Sequence, residues 1–71
     1  MHKYSILIRY CDIDNIYVAN VQELEGCMAH GNTYDEAVKE IQIAMKLWLE
    51  VAEEDGIEIP VPVLLADSNV G

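Results

Sequence analysis

Positive charge is scarce in this chain. Four Lys and Arg stand against 13 Asp and Glu among 71 residues, a formal charge of -9. Binding to phosphate backbones depends on cations that displace counterions, so a direct nucleic-acid role is excluded. The four bases, Lys3, Arg9, Lys39 and Lys46, are also scattered rather than gathered in a patch. Cysteine is limited to Cys11 and Cys27, too few for a disulfide-stapled miniprotein. Unbroken apolar runs last only a few residues, which gives neither a signal-peptide core nor a membrane span. The expectation is a cytoplasmic protein with reduced thiols. Hydrophobic residues nevertheless make up 52%, too many for a disordered acidic tail. A chain this short forms one domain with a marginal core. Its charge suits basic partners.

Local patterns give the order of elements. Tyr4, Ile6, Ile8 and Tyr10 alternate with Lys3, Ser5, Leu7 and Arg9, which reads as a strand. Asp12, Asp14 and Asn15 favour a turn, and Ile16 to Val21 reads as a second strand. A loop pivots on Gly26, and Met28-Ala29-His30 forms a short third strand stopped by Gly31. Thr33-Tyr34-Asp35-Glu36 fits a capping box, with Glu36 reaching back to the N–H of Thr33. Tyr34, Ala37, Val38, Ile41, Met45, Trp48 and Ala52 recur at helical spacing, widened by Ile43, Ala44, Leu47 and Val51. Gly56 supplies the left-handed stop, so the helix spans Tyr34 to Asp55.

Ile57, Ile59, Val61 and Val63 then alternate around Pro60 and Pro62. The missing N–H groups of the two prolines lie on one edge, which predicts an edge strand. The result is an α+β fold of order β-β-β-α-β, an antiparallel sheet with one long helix on one face. Residues 1–66 form the domain and residues 67–71 a flexible C-terminal tail.

Catalytic and metal-binding patterns are weak. His2, His30, Cys11 and Cys27 are conceivable zinc ligands, but no Cys-x-x-Cys knuckle presets them. Cys27 as a nucleophile would need a base and a lowered pKa, and a small thiol in the core is the simpler reading. No phosphate-cradling glycine loop and no Ser-His-Asp arrangement can be argued. Asp12, Asp14, Glu23 and Glu25 lie in a turn and a loop, and the first strand has no carboxylate to join them around metal ions. No cofactor and no enzymatic activity are expected. Trp48 and the methionines Met28 and Met45 read as packing residues.

The segment Val21-Gln22-Glu23-Leu24-Glu25-Gly26-Cys27, followed by Gly31-Asn32-Thr33 and Asp35-Glu36-Ala37, resembles the HicB antitoxin family. That family typically reads Val-Pro-Glu-Leu-Pro-Gly-Cys, then Gly-Asp-Thr and Glu-Glu-Ala. Trp48-Leu49-Glu50, Asp55-Gly56 and Ile59-Pro60-Val61-Pro62 extend the likeness over roughly residues 4–63. The resemblance implies a partial RNase H-like fold without nuclease activity. It also implies an antitoxin that binds and neutralises HicA, a small basic mRNA-cleaving toxin, by protein contact. Many members continue into a helix-turn-helix or ribbon-helix-helix domain, whereas here only Leu64 to Gly71 follow, so operator binding is not expected. The alternative is a solitary HicB-like domain with a structural or regulatory role and no toxin partner.

The exposed acids are the candidate partner-binding residues: Asp12 and Asp14 in the first turn, Glu23 and Glu25 in the Gly26 loop, and Glu53, Glu54 and Asp55 at the helix end. The last three oppose the negative end of the helix dipole, where Lys or Arg would be favoured. One helix covers one sheet face only. The other face carries Leu7 and either Tyr17 or Val18, so a homodimer or dimer of dimers is predicted. Sedimentation at micromolar concentration should therefore find no monomer.

Overall fold

A computed structural model describes residues 3–64. Three strands, β1 (Ile6–Cys11), β2 (Ile16–Val21) and β3 (Met28–Gly31), precede one helix, α1 (Tyr34–Asp55). The sheet is antiparallel in the order β1-β2-β3. Ile8 faces Ala19, which in turn faces Ala29. Alternation then places Ile8, Tyr17, Ala19, Val21 and Ala29 beneath the helix. On the outer face, Arg9 faces Val18 and Val18 faces His30, so Val18 rather than Tyr17 accompanies Leu7. The tight β1–β2 turn needs one left-handed residue, which Asn15 supplies at φ 56°.

The core is small and built largely of small residues. Ala19, Val21 and Cys27 meet Ala37, Ile41 and Met45, and Leu24 from the loop is buried among them. Small side chains let α1 approach the sheet closely, and the helix packs mainly on β3. Gly31 marks that approach: a Cβ there would stand 2.6 Å from the Ala37 nitrogen and 2.6 Å from Glu36 Cβ.

Both helix ends are closed. The Glu36 N–H donates to Thr33 Oγ1 at 3.1 Å. The Glu36 carboxylate accepts from Asn32 N–H at 2.9 Å rather than from Thr33, one residue beyond the expected reciprocal partner. At the other end Gly56 adopts φ 71°, and the Ile57 N–H donates to the Ala52 carbonyl at 2.8 Å. This double closure, with Gly56 donating to Glu53, satisfies carbonyls that a helix end leaves open.

The segment after the helix corrects one expectation. Residues 57–64 join no ladder among the described residues, so no fourth strand forms there. Pro60 and Pro62 can donate nothing to a sheet edge. Side chains hold the segment instead. The Tyr4 hydroxyl donates to the Pro60 carbonyl, and the Val63 N–H donates to Glu23 Oε2 at 2.9 Å. Leu65, Ala66, the expected tail over residues 67–71 and His2 lie outside the described residues.

Glu23 therefore ties three segments together. Its carboxylate also accepts from the Ser5 N–H at 2.9 Å and the Ser5 hydroxyl at 3.1 Å. Partial burial alone would raise its pKa, but the hydrogen bonds from Val63 and Ser5 outweigh that and hold the carboxyl below the ordinary 4.5. Its stabilising contribution is thus full above that value and is lost as pH falls through the lower folded-state value.

Two outcomes are expected in thermal melts. Gly31→Ala should destabilise the fold by about 1–3 kcal/mol through overpacking against the first helical turn. Glu23→Ala should cost about 1 kcal/mol at neutral pH. That difference from wild type should shrink on acidification below pH 4.5. A gap that persists into strong acid would remove the ionised clamp.

Candidate partner-binding surface

The predicted acids sit on three elements: the β1–β2 turn, the Gly26 loop and the end of α1. Asp12 and Asp14 are exposed in the β1–β2 turn, where the Cys11 thiol lies 3.9 Å from Asp14 Oδ2. Glu53, Glu54 and Asp55 are exposed at the end of α1, whose last turn holds no base. Glu25 is exposed, and its carbonyl accepts from the Trp48 indole N–H at 2.9 Å. Glu23 is committed internally. Glu25 shares a depression with Val51, Ala52 and Ile57, at the helix end that carries Glu53, Glu54 and Asp55.

The potential metal ligands do not converge either. Among the described residues, no three of His, Cys, Asp and Glu are grouped to hold an ion. Cys27 is buried, and burial pushes its thiol pKa up, away from the reactive thiolate. His30 is exposed on the outer sheet face. Trp48 packs partly on the core and fastens the Gly26 loop through its indole. Among the described residues, no helix is long and apolar enough to cross a membrane.

What the structure does assemble is a groove between α1 and the edge of β3. Two shallow depressions share Met28, Ala44 and Leu47 and run into one another. Their apolar lining is unusually open: Met28 is 60% exposed, Leu47 56%, Val51 51% and Ile43 49%. Glu36 and Glu40 stand at one end and Glu25 at the other. Neither Lys39 nor Lys46 lines it. The Val21 N–H donates to the Cys27 carbonyl. Antiparallel alternation then turns the N–H and C=O of Met28 and His30 toward the open edge.

The sequence pattern held a trace of this groove. Ile43, Leu47 and Val51 recur every four residues, on a stripe wider than one sheet face can cover. They read as an extension of the core stripe, and only the helix orientation shows that they stand outside it.

The chain matches the family model described as the HicB_like antitoxin of bacterial toxin-antitoxin systems over residues 4–69. A UPF0150 protein of Synechocystis is 37% identical over 57 residues, covering 80% of this chain and 77% of the relative. A UPF0150 protein of Thermoplasma acidophilum is 36% identical over 58 residues, covering 82% and 83%. One from Archaeoglobus fulgidus is 38% identical over 64 residues, covering 87% and 91%. No solved structure gives a significant match. An acidic three-strand and helix fold, with the Glu-Leu-x-Gly-Cys loop plugged into its core and a family match over nearly all its length, belongs to the HicB-like antitoxins of bacterial toxin-antitoxin systems.

Proposed function

We propose that this protein is an antitoxin that neutralises a small basic HicA-type mRNA interferase by binding it, without chemistry of its own. The observation that carries the reading is a charge of -9 on a member of an antitoxin family. Opposite net charges steer two proteins together and speed their encounter. The acids suited to this steering are Asp12, Asp14, Glu25, Glu53, Glu54 and Asp55, all exposed. Glu23 contributes indirectly, by fixing the loop that carries Glu25. Masking a ribonuclease needs contact area rather than a reaction, and buried apolar and aromatic anchors ordinarily supply most of the energy.

Self-association belongs to the same reading. The outer sheet face presents Leu7, Ile16 and Val18 half-buried and Met28 exposed, with no element of the described residues across it. A second copy laid on that face would cover them and would present two anionic surfaces to toxin molecules.

The test is co-expression with a small basic HicA-type protein, sought first among the reading frames beside this chain's own. Co-purification and loss of RNA cleavage are expected, and a neighbouring toxin that ignores this protein would sink the proposal. Reversing Glu53, Glu54 and Asp55 to Lys together should slow association and flatten its dependence on salt, as stopped-flow mixing would show. An unchanged on-rate would remove that cluster from the steering surface.

A further inference from the structure

We propose that the groove between α1 and the β3 edge is where the toxin docks, and that a cationic extended segment of the toxin occupies it as an added strand. The inference rests on the antitoxin reading and specifies its surface. Three observations support it.

First, the groove has an apolar floor with nothing over it among the described residues. Leu47 and Val51 are each more than half exposed, although they sit on the helix that builds the core. Soluble domains seldom leave such a strip beside a sheet edge unless a partner uses it.

Second, the edge is chemically ready for a strand. Met28 and His30 offer main-chain N–H and C=O groups in ladder register. A segment pairing there would place alternate side chains under the helix, against Leu47 and Val51, which is the geometry of strand addition.

Third, charge selects the occupant. Glu25, Glu36 and Glu40 line the groove, His30 is its one titratable base, and both helix lysines are absent from it. A second copy of this chain also carries -9 and would bring acids to an acidic rim. A basic segment would pair Lys or Arg with those carboxylates while its apolar residues covered the floor. Charge complementarity thus favours the cationic partner over self-association at this site.

The experiment measures binding of that HicA-type protein to the full chain and to three variants by calorimetry. Leu47→Glu puts a charge on the floor at an exposed position, where the cost to folding is small, and a melt in the absence of toxin verifies this. It should weaken toxin binding by about tenfold or more. Glu40→Lys should weaken it severalfold, with the loss concentrated at low salt. Val18→Glu, on the outer sheet face, should loosen self-association in sedimentation but leave the toxin affinity of each protomer unchanged. Toxin that binds wild type and Leu47→Glu equally, but fails with Val18→Glu, would overturn the groove while leaving the antitoxin reading intact. A Leu47→Glu chain that loses self-association yet keeps full toxin affinity would show a second copy in the groove, and would overturn the proposal too. Absence of toxin binding by wild type would overturn both readings.

Discussion

The fold depends on close contact between one helix and two short strands. Ala19 and Cys27 are small enough for Ala37, Ile41 and Met45 to settle directly on the sheet, and Gly31 leaves no room for a Cβ under the first helical turn. Hydrophobic gain scales with the apolar area removed from water, and a chain of this size has little area to give. Tight seating therefore matters more than bulk. The loop around Gly26 adds what the strands cannot: Leu24 joins Ile41 as one of the two largest fully buried side chains.

Polar bonds then fix the parts that burial leaves loose. Thr33 and Glu36 close the start of the helix, and Gly56 with Ile57 closes its end. Glu23 ties the chain before β1 to the segment after α1, and Trp48 ties the Gly26 loop to the helix. Glu23, Thr33, Glu36, Trp48 and Gly56 also appear in the family-like motifs, and each has a mechanical reason to be there. The Glu-Leu-x-Gly-Cys run is a clamp, a plug, a left-handed pivot and a core thiol in succession, with Gly26 at φ 79°.

The same seating decides the surface. Because α1 settles mainly on β3, one flank of the helix stands beside an open sheet edge, and apolar residues remain in water there. Acids stand at both ends of that strip while the helix lysines lie elsewhere. Long-range attraction and short-range burial are thus offered together, which is the combination that a protein acting by masking requires.

The sequence alone determined the local elements. The capping box, the helical stripe and Gly56 set α1 from Tyr34 to Asp55, and alternation placed the strand ends to within three residues, because these features rest on neighbours in the chain. It also determined the charge of -9. Tertiary structure decided the rest. Glu23 looked like one more exposed acid, yet Ser5 and Val63, 18 and 40 residues away, take its carboxylate. The alternating segment after the helix looked like a strand, yet it pairs with none of the described strands and is held by side chains. Ile43, Leu47 and Val51 looked like core, yet the helix turns them outward. Periodicity states which residues share a face, but which part of that face is covered depends on how far the sheet extends beneath it, and only the packed fold sets that distance.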